Sequence, residues 1–302
     1  MVDIKKITTE RRNNNTKNID LLQTKDMLKL INDEDKKVAY TVEEALDQIT
    51  IVVDEITEVF ENGGRLIYQG AGTSGRIGVL DASECPPTFG VPDTMVVGLI
   101  AGGDYALRHA VENIEDSREE AVQDLKAINF NENDILVGIA ASGRTPYVLA
   151  GLEYANNIGA RTACITTSEN SPVAATAKFP IEVITGPEAV TGSTRMKSGT
   201  AQKLVANMLS TASMIKIGKV YQNLMVDVQI TNEKLFSRGQ SIIMEVAEVD
   251  KETAKAYLDK YGSVKHAIFA IMSEIEEESK IEEILNKHRG NIRKSIVSLK
   301  WG

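Results

Sequence analysis

The stretch RLIYQGAGTSGRIGVLDASECPP, from Arg65 to Pro87, decides the fold. Leu66, Ile67 and Tyr68 read as a buried strand, Gly70, Gly72, Thr73, Ser74 and Gly75 as a glycine-rich turn, and the rest as a helix that Pro86 and Pro87 stop. Such a turn aims free backbone N–H groups and the positive end of a helix at one point, and Thr73 and Ser74 add hydroxyl donors. The combination is an anion site suited to phosphate.

Working outward, short apolar runs alternate with helical segments after Arg65, the pattern of βαβ units around a parallel sheet. Strands are predicted near 65–69, 95–100, 134–140, 161–166 and 181–185. The expected core is therefore α/β, a doubly wound three-layer sandwich with a five-stranded parallel sheet, and ligands of such sheets bind at the carboxyl ends of the strands. Upstream, a polar, arm-like start runs to about residue 20, with Asn13, Asn14 and Asn15 in a row. A helix is predicted over 20–32, then a loop through INDEDKKVAYT. The capping pattern Thr41-Val-Glu-Glu44 opens a long helix ending at Asn62-Gly63-Gly64, with Ala45, Ile49, Val52, Val53, Ile56 and Val59 as its buried stripe. Downstream of the sheet, helices are expected at 198–217 and 219–232. Short helices broken at Tyr261-Gly262 and Arg289-Gly290 then form a small C-terminal bundle, in which the acids of Glu274 to Glu283 read as a solvated face. The domain reading is 1–56 for the arm and N-terminal helices, 57–220 for the ligand-binding domain and 221–302 for the C-terminal helical region.

Composition narrows the function. The chain has 302 residues and a formal net charge of −9, from 34 Lys and Arg against 43 Asp and Glu. A nucleic-acid-binding body needs a basic stripe, which this balance argues against, whereas a small anion needs only a local positive pocket. The start MVDIKKITTERRNNN has no apolar core of a secretory signal, and no run approaches the roughly 18 apolar residues of a membrane span. A cytoplasmic protein is expected. Cys85 and Cys164 lie far apart without CxxC or histidine spacing and read as small buried residues.

Two further loops follow strand ends. Ala141-Ser142-Gly143-Arg144-Thr145-Pro146 is a second glycine and hydroxyl turn, with Pro146 placed as a first helical residue. Taken singly, each hydroxyl could be a helix cap, but two such loops at neighbouring strand ends converge on one anion. The third loop runs from Gly186 to Thr200, where Ser193, Thr194, Arg195 and Lys197 crowd ahead of a helix. Gly70, Gly72 and Gly75 also spell G-x-G-x-x-G, which raises a nicotinamide-dependent oxidoreductase. The second strand, however, ends Ala101-Gly102-Gly103 before a poorly placed Asp104, and the hydroxyls suit a terminal phosphate better than a pyrophosphate.

Together these loops resemble the sugar isomerase (SIS) domain. The strings GAGTSGRIGVLDASECPPTFG and EAVTGSTRMKSGT, with TERRNNNTKNID and INDED, resemble more narrowly the N-acetylmuramic acid 6-phosphate etherases, over nearly the full chain. The resemblance implies a lyase that removes the D-lactyl ether by elimination and hydration, with no metal or organic cofactor. It also implies a homodimer with sites near the interface. Residue by residue, it implies catalytic carboxylates at Glu84, in the DASE string, and Glu115, in VENIED. Residue physics alone does not choose Glu115 over Glu112, Asp116 or Glu119, and reads it as a solvated helix position. Ser74, Ser142 and Thr145 match the phosphate-holding hydroxyls of the family, flanked by Gly72, Thr73, Gly75, Gly143 and Arg144, with Ser193, Thr194, Arg195 and Lys197 in the third loop. His109 lies near this site but, like His266 and His288, reads as structural. The alternative is a non-catalytic phosphosugar-binding regulatory protein. A pure binder, though, gains nothing from two carboxylates beside a dianion.

Overall fold

The computed structural model describes residues 8–111, 113–228, 230 and 232–301. Residues 1–7 of the polar start, Glu112, Gln229 and Thr231 of the 219–232 stretch, and Gly302 lie outside the described residues. The chain divides into two compact units, one of Met1–Ser83 with Thr94–Ser210 and the other of Glu84–Asp93 with Thr211–Gly302.

Along the chain the elements are α1 (Thr24–Asp35), α2 (Lys37–Glu43), α3 (Leu46–Glu61), β1 (Leu66–Gly70), α4 (Gly72–Phe89), β2 (Val96–Ile100), α5 (Gly103–Arg108) and α6 (Arg118–Ala127). There follow β3 (Ile135–Ile139), α7 (Pro146–Asn157), β4 (Arg161–Thr166), α8 (Pro172–Thr176), β5 (Phe179–Glu182) and α9 (Lys197–Lys216). The last segments are a hairpin, β6 (Val220–Tyr221) with β7 (Leu224–Met225), and α10 (Glu233–Ala247), α11 (Lys251–Tyr261), α12 (Val264–Ser273), α13 (Glu278–Lys287) and α14 (Ile292–Trp301).

The first unit holds the five-stranded sheet, in the order β2-β1-β3-β4-β5 with every pair parallel. Every residue of β1 and β3 is buried, because both faces of the sheet are covered and the strands read as continuous apolar runs. Ile67 and Leu136 pack with Leu125 of α6 and Val148 and Leu152 of α7. Tyr68, on the opposite face by strand alternation, lies against Gly78 of α4 and donates its hydroxyl to Ala206 O of α9 at 3.2 Å. Arg65 donates to both carboxylate oxygens of Asp134, pinning the starts of β1 and β3 together. Their far ends are level too, since Gly70 pairs with Ile100 of β2 and Ile139 of β3. The strand order reverses at β1, so the loops after β1 and β3 diverge to opposite faces and leave a crevice between them.

Several boundaries differ from the sequence reading. Pro86 and Pro87 do not stop α4; the helix runs through both, Pro86 O still receives the Gly90 N–H, and the end falls at Gly90, whose φ of +63° is the left-handed termination that glycine allows. INDEDKKVAYT is not a loop but the end of α1 and most of α2. Thr41 does not cap a helix start: it lies inside α2, with its hydroxyl bonded back to Val38 O. The first helix occupies 24–35 rather than 20–32, and the last strand 179–182 rather than 181–185. In place of a helix over 219–232 there is the β6–β7 hairpin, because Gly218 (φ +81°) ends α9 and Gln222 (φ +54°) turns the chain back. The stripe on α3 is buried as expected, Ala45 just ahead of it included.

The second unit packs α10 to α14 around Val226, Ile243, Leu258, Phe269 and Ile281. Within it Lys265 is buried, donating to Gly218 O at 3.0 Å and Asp227 Oδ2 at 2.6 Å, and burial pushes its pKa down. Cys85 and Cys164 are both buried thiols outside any disulfide among the described residues, and burial pushes the Cys164 thiol up to about 12. No helix among the described residues is long and apolar enough to cross a membrane.

Candidate active site

The glycine-rich turn is shorter than it looks in sequence, because α4 begins at Gly72 and turns Thr73, Ser74 and Gly75 into its first helical residues. The Gly75 N–H already donates to Ala71 O at 3.2 Å, which leaves the N–H groups of Gly72, Thr73 and Ser74 as the end donors of the helix start. Gly75 is a glycine for packing: a Cβ there would meet Gly70 O at 2.6 Å and Ile100 Cγ1 at 2.7 Å, so nothing larger lets α4 start this close to β1. In the second loop Gly143 takes φ +64°, and a Cβ would lie 2.2 Å from Ser171 Oγ. Thr145 is the N-cap residue of α7, yet its side chain makes no capping bond, so the bland use of that hydroxyl is not the one observed. Ser142 is half-buried beside it and Arg144 is exposed.

α9 ties the loops together. Ser74 Oγ donates to Gln202 Oε1 at 3.0 Å, and the hydroxyl of Thr167, just after β4, donates to Ala141 O (3.0 Å) and lies 2.9 Å from Ser198 Oγ, whose own proton serves that contact. Ser198 and Gln202 are four apart, so the first and second loops are bonded to one face of α9, one turn apart. The third loop leads into this helix, with Ser193 and Thr194 half-buried and Arg195 exposed. The N-terminus of α9 is already filled: the fully buried Glu188 accepts from Lys197 N and Ser198 N, each at 2.9 Å. A carboxylate there satisfies two end donors and matches the helix dipole. Lys197 is buried as well, its ammonium 2.9 Å from Glu34 Oε2. Glu34 also accepts from Asn15 (3.0 Å) and Lys37 (2.5 Å), and Asn13 donates to Pro187 O, so the polar start of the chain is fastened to the third loop. Burial by itself would raise the Glu34 carboxyl, but the hydrogen bonds from Asn15, Lys37, Lys197 and Asn13 outweigh it and hold the carboxyl down at about 2.

The two carboxylates singled out in sequence fare differently. Glu115 lies not on a helix but in a 3-10 turn, Ile114–Asp116, because α5 stops at Arg108 and Asn113 takes a φ of +64°. Its side chain is exposed, and it lines a cavity of about 110 Å³ with His109, Arg76, Ala101, Ala71 and Gly72. The structure thus sets Glu115 and His109 beside the glycine-rich turn. Arg76 closes the cavity floor by donating to Ala106 O, Leu107 O and His109 O. Glu84 is absent from that lining; it stands on the exposed side of α4 with Leu80, Ser83 and Pro87. Asp81 is buried on the same helix, accepting from Asn207 (2.5 Å) and Ser210 (3.1 Å) of α9, and burial raises its pKa.

The reversed parallel sheet, with hydroxyl-bearing helix starts at its switch point, is the α/β architecture of an SIS fold. Residues 107–212 match the family described as SIS domain, residues 20–156 the glucokinase regulatory protein N-terminal SIS domain, and residues 222–289 the C-terminal lid domain of glucokinase regulatory protein. A phosphoheptose isomerase from Francisella tularensis overlays with a TM-score of 0.49 at 19% identity, over 64% of this chain and 100% of its own. The N-acetylmuramic acid 6-phosphate etherase of Actinobacillus pleuropneumoniae serotype 5b (strain L20) is 53% identical over 98% of this chain and 97% of its own. That of Clostridium botulinum (strain Loch Maree / Type A3) is 55% identical over 99% of each. The chain belongs to the N-acetylmuramic acid 6-phosphate etherase family.

Proposed function

We propose that the protein is a lyase that cleaves the D-lactyl ether at C3 of N-acetylmuramic acid 6-phosphate, giving N-acetylglucosamine 6-phosphate and D-lactate. The observation that carries this reading is the full-length identity of 53% and 55% to etherases. The sugar phosphate sits at the starts of α4 and α7, held by the N–H groups and hydroxyls of Thr73, Ser74, Ser142 and Thr145, with Gly72, Gly75, Gly143 and Arg144 shaping the turns and Ser193, Thr194 and Arg195 approaching from the third loop. Lys197 acts through its ion pair with Glu34, keeping that loop in place. In the open-chain sugar the aldehyde acidifies the C2 proton. Glu115 removes it, the electron pair becomes the C2–C3 double bond, and the C3–O bond breaks as Glu84 protonates the departing lactate oxygen. Water activated by Glu84 then adds its hydroxyl to C3 while Glu115 returns a proton to C2, so the sum is substrate plus water to the two products.

In this reading residues 57–220 form the sugar-phosphate domain, 1–56 the arm and helices that brace it, and 221–302 a helical region. The protein is a cytoplasmic homodimer. Support for the dimer comes from Glu84, which is exposed on α4 beside an exposed Leu80 and so open to a partner protomer. The test is incubation with N-acetylmuramic acid 6-phosphate and enzymatic detection of D-lactate. Tight binding of the phosphosugar without lactate release would sink the lyase reading in favour of a regulatory binder.

A further inference from the structure

Ser74 has one hydroxyl proton, and the phosphate reading of its loop, on which this inference rests, needs that proton to point at the anion. As oriented, Ser74 gives it to Gln202 Oε1, while Gln202 Nε2, on a side chain only 1% exposed, has no partner among the described residues. A hydroxyl that donates to glutamine has nothing left for a phosphate oxygen, and a buried amide N–H without an acceptor is costly. Turning the amide over removes both defects. Nε2 then donates to Ser74 Oγ, and the freed Ser74 proton is directed outward. The two amide orientations have nearly the same shape, and a carbonyl oxygen is more readily left short of a partner than an N–H.

We infer that Gln202 is a positioning residue for the sugar phosphate: its amide donates to Ser74 when the anion is bound, which compels the Ser74 hydroxyl to donate to phosphate. Its place on α9, one turn beyond Ser198, gives the third loop's helix a direct grip on the first loop. A carboxylate at this position could only accept, so it would draw the Ser74 proton away from the ligand and repel the dianion as well.

The test measures KM and kcat for N-acetylmuramic acid 6-phosphate with wild type, S74A, Q202M and Q202E between about pH 6 and 9. Q202M is expected to raise KM about tenfold with a smaller change in kcat, the worth of one hydrogen bond that orients a charged contact. Q202E, whose carboxylate is ionised across this range and can only accept, should raise KM further than Q202M. A purely structural role would lower kcat and stability without this ordering of KM. A KM for Q202E no higher than for Q202M, or wild-type KM in Q202M while S74A raises KM, overturns the inference. Wild-type KM in S74A overturns the phosphate reading beneath it. If Q202E does not fold, the KM of Q202M decides.

Discussion

Glu34 sits between two ammonium groups, Lys37 at 2.5 Å and Lys197 at 2.9 Å, with almost no solvent access. A carboxyl held down at about 2 in the folded chain and ordinary when unfolded contributes stability above the usual carboxylate range and loses it as pH falls through about 2. The stability advantage of wild type over E34Q should therefore be full at neutral pH and shrink across that acid window. Urea melts of both proteins at stepped pH check this; a gap that stays constant into strong acid would contradict it. At this scale the sequence was legible only where partners are local. Ser74, Ser142 and Thr145 stand out because glycine and hydroxyl residues cluster within a few positions. Gln202 meets Ser74 across 128 residues and Glu34 meets Lys197 across 163, and no spacing rule foretells such pairs. Glu188 lies only nine residues before Lys197, yet a glutamate that reaches forward over a turn to fill a helix start looks like any other loop acid.

In the proposed reading two helix starts hold the anion, and both depend on glycine geometry. At the second, a methyl group on Gly143 would meet Ser171 while the backbone holds a left-handed φ, which strains an L-residue by roughly 1–2 kcal/mol before the clash is counted. G143A should raise KM for the phosphosugar about tenfold or more and lower the melting temperature; wild-type KM would show that the loop after β3 does not shape the site. The sheet and its flanking helices were legible because buried parallel strands advertise themselves as unbroken apolar runs. What escaped was punctuation. Paired prolines inside α4 read as a stop although glycine four residues on supplies the real one, and a polar segment before α3 read as a loop although it is helical.

For the whole molecule, the outward-facing Glu84 yields a test of composite sites. E84Q and the S74A/S142A double variant should each be nearly inactive alone. Mixed and allowed to exchange protomers, they should recover up to about a quarter of wild-type lactate release, because random reassortment gives heterodimers one site with intact loops from one chain and an intact glutamate from the other. Exchange verified by mass tags without recovered activity would place Glu84 in its own chain's site. The fastening of the polar start to the third loop also has a consequence during synthesis. Asn13, Asn15 and Glu34 leave the ribosome first, while Lys197 and Pro187 follow only after most of the sheet has been made. At ordinary elongation rates the wait is on the order of ten seconds. Throughout that interval the carboxylate that will be held between two lysines is an ordinary wet one, and closure of the arm waits for the third loop.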